Sequence, residues 1–119
     1  MKLIIAIIKP ERMDAVQSEL QTVLDEEDKY RLTVQPVEGH GRLQGDVEIF
    51  RGQETRAKFV RRSKLTIAVN DKYVEPTIEA IIKGARTGPA GTVGDGKIFI
   101  VPMDDCIRIR TGERGGSAI

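Results

Sequence analysis

The chain has no tryptophan, three phenylalanines and two tyrosines. So few aromatics argue against a surface built to stack nucleic-acid bases. Cys106 is the single cysteine, which excludes an internal disulfide and a thiolate metal cluster within one chain. His40 is the single histidine, so one chain cannot assemble a multi-histidine metal site. Charge of one sign is also missing: 19 cations face 18 anions over 119 residues. Such a balance gives no electrostatic reason for whole-surface attraction to nucleic acid. No apolar run approaches the roughly 20 residues that span a bilayer. The opening "MKLIIAIIKPE" has an apolar part of only about six residues. It runs into Lys-Pro-Glu with no small-residue cleavage pattern, so a strand and a cytoplasmic location are expected.

What is present is an internal echo. "KLIIAIIKPERMDAVQSEL" begins at Lys2 and "KLTIAVNDKYVEPTIEAII" at Lys64. Each reads as a strand, a polar break and a helix. Met13, Val16, Leu20 and Val23 recur at helical spacing, as do Val74, Ile78, Ile81, Ile82 and Ala85. Asn70 or Asp71 is placed to cap the second helix, and Pro76 falls in its first turn, where proline is tolerated. A further strand closes each half, "RLTVQPVEG" from Arg31 and "KIFIVPM" from Lys97. Two such units in series predict an α+β (α/β) chain with a ferredoxin-like βαββαβ order. Right-handed crossovers then put both helices on one face of a four-stranded antiparallel sheet. "LIIAII" is apolar at every position, whereas a strand with one wet face alternates. Two helices cover only one face, so the other needs a cover, and a second copy of the chain is the expected one.

The segment between the second and third of these strands, 41–63, far exceeds the about two to five residues of a simple hairpin loop. It mixes many cations with Ile49, Phe50, Phe59 and Val60. An extended hairpin with solvated charges and a partner-binding loop both fit. Further on, "GDGKIF" places Gly94 and Gly96 around Asp95, directly before Lys97. Such a turn can point backbone N–H groups at an anion, with a mobile cation beside it. An ordinary turn into a strand fits as well, and the spacing is not that of a P-loop. "IRIRT" alternates, so as a strand it sets Arg108 and Arg110 on one face roughly 7 Å apart, a span suited to neighbouring phosphates. A solvated strand edge fits that pair too. Together, the glycine turn, Lys97 and the two arginines favour a polyphosphate site.

"IIKP", "GRLQG…FRG", "ARTG…GDGKIF" and "IRIRTGERG", in that order, resemble the PII nitrogen-regulatory signal-transduction family over nearly the whole chain. The resemblance implies one domain over 1–119, a homotrimer of ferredoxin-like subunits, and ATP or ADP bound in the clefts between subunits. It also implies a long loop, here 43–62, that docks on a transporter, enzyme or regulator of nitrogen or carbon metabolism. By motif, Gly94, Asp95, Gly96 and Lys97 should cradle phosphates, and Arg108 and Arg110 should reach them from the adjacent subunit. Thr33, Gly41, Arg42 and the backbone near Ala68 should line the rest of the nucleotide site. Phe50, Arg51, Thr55 and Arg56 should lie in the docking loop.

Departures from the family pattern narrow these expectations. The glutamine that usually helps to hold magnesium is replaced by Leu43, which offers no oxygen to a hard cation. The lysine that pairs with 2-oxoglutarate corresponds to Arg62, with its charge kept and its geometry changed. Leu43 and Arg62 therefore mark the effector position, and Mg²⁺-dependent 2-oxoglutarate sensing is not expected. Thr55 stands where many members carry a modified tyrosine, and no tyrosine lies in the loop. His40 and Cys106 read as packing or hydrogen-bonding residues, with a contact that tunes the nucleotide site as the other reading of His40. Two competing functions are a nucleotide-processing enzyme with slow ATPase activity and a ferredoxin-like RNA-binding module. The first needs a nucleophile or base beside the phosphates, and the second needs more aromatics on the central strands.

Overall fold

Residues 1–24, 32–40 and 59–119, with the backbone of 48–50 and 53–55, are described by a computed structural model. Strand β1, Lys2–Ile8, buries Ile4, Ala6 and Ile8 on one side and leaves Leu3, Ile5 and Ile7 half-buried on the other. Helix α1, Met13–Val23, follows a short 3-10 turn at Pro10–Arg12 and buries Val16 and Leu20. Strands β2, Leu32–Gly39, and β5, Val60–Val69, flank a small antiparallel pair, β3 (Glu48–Phe50) and β4 (Gln53–Thr55). Helix α2, Val74–Ala85, and strand β6, Gly96–Pro102, complete the second half.

The main sheet has the order β2-β5-β1-β6, with every neighbouring pair antiparallel. This is the predicted ferredoxin-like arrangement. The core lies between the sheet and the two helices, and joins Ile4, Ala6, Ile8, Leu65, Ile67 and Val69 to Val16, Leu20, Ala80 and Ile81. Each large side chain wholly withdrawn from water there contributes about 1.5–3 kcal/mol. Register and strand alternation define the opposite, helix-free face in rows. Thr33, Thr66, Ile5 and Phe99 form one row, and Gln35, Lys64, Ile7 and Lys97 the next. Phe99 and Val101 are 48% and 41% exposed on this face, so the apolar surfeit noted in the sequence remains uncovered within one chain.

Three local expectations are corrected. Helix α2 turns Thr77, Ala80, Ile81, Gly84 and Ala85 inward, leaving Ile78 half-buried and Ile82 exposed. The cause is close contact between the helices: a Cβ on Gly84 would lie 2.5 Å from the Cα of Val16. The small residues therefore face α1, and Ile78 and Ile82 turn toward the sheet edge. Neither Asn70 nor Asp71 caps with its side chain. Asn70 donates to the Gly116 carbonyl at 3.1 Å, and Asp71 accepts from the Met1 ammonium at 2.8 Å.

"IRIRT", expected as a strand, is a tight loop. Its only bridge is Ile107 with Arg114. Arg108 N–H donates to the Glu113 carbonyl at 2.9 Å, and Gly112 N–H to the Arg108 carbonyl at 2.7 Å. Gly112 and Gly115 take φ of 71° and 83°, the left-handed region that lets the chain fold back. An alternating pattern needs a neighbouring strand to pair with, and here the chain closes on itself instead.

Candidate functional site

The glycine turn is held by its own aspartate. Asp95 turns away from solvent and gathers three segments. Its Oδ2 accepts from Thr87 N–H at 3.0 Å and Thr92 N–H at 2.9 Å. Its Oδ1 accepts from the hydroxyls of Thr87 at 2.7 Å and Thr92 at 3.1 Å, and pairs with Lys9 Nζ at 3.2 Å. The two threonine hydroxyls also hydrogen-bond each other. Partial burial pushes the Asp95 carboxyl upward. The hydrogen bonds from Thr87, Thr92 and Lys9 outweigh it and hold the group well below the usual carboxylate range. Asp95 is therefore an ionised anchor for the turn.

The anchor fixes Gly94 and Gly96 at φ of 96° and 124°, as their place in the turn demands. At Gly96 a Cβ would fall 1.9 Å from the Ile7 carbonyl oxygen, so only glycine allows β6 to start against the end of β1. The turn and the strand ends then enclose a cleft of about 610 Å³, within the range of small-molecule sites. Its polar walls are Gly94, Gly96, Lys97, Arg62 and His40, and its apolar walls include Ile7, Val60, Val93 and Phe99. Among the described residues, two permanent cations line it and no carboxylate does, so it suits an anion. Lys97 has no ion-pair partner among the described residues. A second, apolar cleft of about 400 Å³ lies across β6, between α2 and the sheet edge, with Asp95 and Lys97 on its wall.

Of the residues expected from the sequence, Gly94, Gly96, Lys97 and Arg62 come together in the cleft. Asp95 does not line it and acts from behind the turn. Arg62 belongs to β5, opposite Val37, so the end of the 43–62 stretch is strand. Thr33 is exposed opposite Thr66, and Ala68 is half-buried opposite Leu3. Both share the helix-free face with Lys97 but lie farther along the strands. Arg108 and Arg110 stand on the C-terminal loop, outside this chain's cleft. Arg108 pairs with Glu113 at 2.8 Å and donates to the Ser117 carbonyl at 3.2 Å. Gly41, Arg42, Leu43, Arg51 and Arg56 lie outside the described residues, as do the side chains of Phe50 and Thr55. Sequence reasoning missed Lys9, Thr87 and Thr92 as the holders of Asp95. Lys9 and Thr87 sit inside "IIKP" and "ARTG", two of the stretches that carry the family resemblance.

Comparison with known proteins places this geometry in context. The sequence profile described as "Nitrogen regulatory protein P-II" matches residues 1–113. Nitrogen regulatory protein GlnK1 of Methanosarcina mazei is 50% identical over 119 residues, covering 100% of this chain and 97% of that protein. The nitrogen regulatory protein P-II of Azospirillum brasilense is 43% identical, with 100% of both chains covered. The crystal structure of Arabidopsis thaliana PII bound to citrate superposes with a TM-score of 0.75 at 38% identity, covering 99% of this chain and 91% of that one. The match spans the sheet, both helices, the glycine turn and nearly all of the C-terminal loop. The chain belongs to the P-II family of nitrogen regulatory proteins, which act in signal transduction.

Proposed function

We propose that the protein is a non-enzymatic, cytoplasmic regulator. It binds ATP and ADP in clefts between the subunits of a homotrimer and controls a partner protein through residues 43–62. The cleft beside the glycine turn carries this reading. Lys97 and Arg62 both line it, with no carboxylate among the described lining residues, and Asp95 fixes the backbone of Gly94–Gly96 from behind. That is the arrangement a polyphosphate needs: fixed backbone donors and permanent cations. The exposed Phe99 and Val101 on the helix-free face favour assembly of copies sheet to sheet. In such an assembly Arg110, and Arg108 on exchanging Glu113 for phosphate, would serve a neighbour's cleft.

Titration calorimetry with ATP, ADP and AMP tests the reading. Saturable binding of ATP and ADP, with no product formed over hours, is the expected result. Lys97→Ala should weaken ATP binding by roughly tenfold to a hundredfold, the effect of losing a charge-assisted contact worth about 1.5–3 kcal/mol. Arg108→Ala should weaken it comparably, and an unchanged affinity there would count against the intersubunit site. With Leu43 in place of an oxygen ligand, 2-oxoglutarate with Mg²⁺ should leave ATP affinity unchanged.

A further inference from the structure

His40 has so far no part in the site, yet it stands on the wall of the anion cleft. It follows the last residue of β2, is exposed, and lines the cleft together with Arg62 and Lys97. Its ring meets Phe59 edge-on, with centroids 6.0 Å apart and planes at 67°. Phe59 stands just before β5, so this contact bridges the two ends of the segment between β2 and β5. Such an aromatic contact holds the imidazole in place beside the cleft.

The charges that share the cleft with His40 are Arg62 from β5 and Lys97 from β6. Glu38, on its own strand, stands opposite Arg61 and does not line the cleft. Among the described charged residues, only cations line the cleft with His40. A bound polyphosphate supplies several negative charges at the same wall, which favour the charged form of a histidine there. Imidazole is the side chain whose charge changes between about pH 5 and pH 8, so such a coupling falls in the physiological range.

We propose that His40 is a proton-linked contact for the anion: binding a polyphosphate in the cleft takes up a proton on His40, and affinity rises as pH falls. The inference rests on the cleft being the nucleotide site. It adds a determinant of affinity that the glycine turn and the permanent cations do not provide, since Arg62 and Lys97 hold their charge throughout this range. It also couples the ligand to the loop, because His40 and Phe59 stand at the two ends of the segment that carries it.

The test is calorimetry of the full chain with ATP at pH 6, 7 and 8, each in two buffers of different protonation heat. Wild type is compared with His40→Gln and His40→Phe. Titration of the phosphates themselves is common to all three proteins and drops out of the comparison. Wild type should take up more protons per ATP bound than either variant. Its affinity should gain roughly five- to tenfold over His40→Gln between pH 8 and pH 6, as a change of up to about one unit in the group's proton affinity requires. His40→Phe keeps an aromatic ring against Phe59 and should behave as His40→Gln does in proton uptake. Equal proton uptake and parallel pH profiles in wild type and both variants would overturn the role of His40 and leave the nucleotide site standing. Absence of ATP binding to wild type at every pH would overturn both.

Discussion

Two aspartates in this molecule each hold a loop that carries cations, and they do so from opposite positions. Asp95 sits within the fold, with its side chain 18% exposed and that of its partner Lys9 20% exposed. It ties its turn to Thr87 after α2 and to Thr92, and reaches across the sequence to Lys9 after β1. Asp105 lies near the surface, 33% exposed, and pairs with Arg114, which is 66% exposed. It accepts only from its own neighbourhood, from Cys106 N–H at 2.8 Å, Gly115 N–H at 3.0 Å and Arg114 Nε at 2.8 Å. The first carboxylate makes its loop part of the sheet and so gives Lys97 a fixed address. The second makes a self-contained clip that presents Arg110 outward and holds Arg108 against Glu113. A site split between subunits needs one wall that is part of the fold and another that can meet a neighbour.

The sharpest way to break the first loop is Gly96→Ala. A Cβ 1.9 Å from the Ile7 carbonyl, on a residue at φ 124°, forces β6 away from β1. A loss of about 3 kcal/mol or more is expected, read as a lowered urea midpoint or as failure to fold. Next comes Asp95→Asn, which removes the charge and one acceptor atom from a largely buried knot. It should cost about 2–3 kcal/mol in the same measurement and weaken ATP binding as the turn loosens.

Acid titration separates the two loops without mutation. Both carboxyls are held below their ordinary value, Asp95 far more so. At Asp105 the first cause is the hydrogen bond from Arg114. A depressed carboxylate contributes stability above its unfolded value near pH 4, and that contribution is lost as pH falls toward the folded one. Wild-type stability should therefore fall with acid below about pH 4 more steeply than that of Asp95→Asn. Asp105→Asn should follow the wild-type curve closely. The smallest effect on stability is expected from Asp105→Asn at neutral pH. Its melting temperature should move less than that of Asp95→Asn. ATP affinity should drop even so if the clip positions Arg108 and Arg110. A large stability loss from Asp105→Asn would show that the two loops are not different in kind.

Much of the architecture was legible in the chain because periodicity is local. The alternation and apolar runs of β1 and β6 and the helical spacing of α1 place those elements within a residue or two, whereas β5 begins at Val60, four residues before the start read at Lys64. The doubled βαβ order leaves few topologies once crossovers are right-handed. What failed was also local, and for physical reasons. "IRIRT" has strand alternation with no strand beside it. Glycines 112 and 115, together with Asp105, close it into a loop. The face of α2 was misjudged because size outranked hydropathy, since Gly84 alone permits the approach to Val16.

The sequence by itself determined the fold, the family and the chemistry of the glycine turn, because these depend on patterns and motifs written within short stretches. Only the tertiary structure decided that Asp95 anchors rather than lines the cleft, and that Arg62 and His40 share a wall with Lys97. The first depends on hydrogen bonds from Thr87, Thr92 and Lys9 that no local pattern spells out. The second depends on the register of β5, β1 and β6, strands far apart in the chain, and a shift of one residue would send Arg62 or Lys97 to the other face.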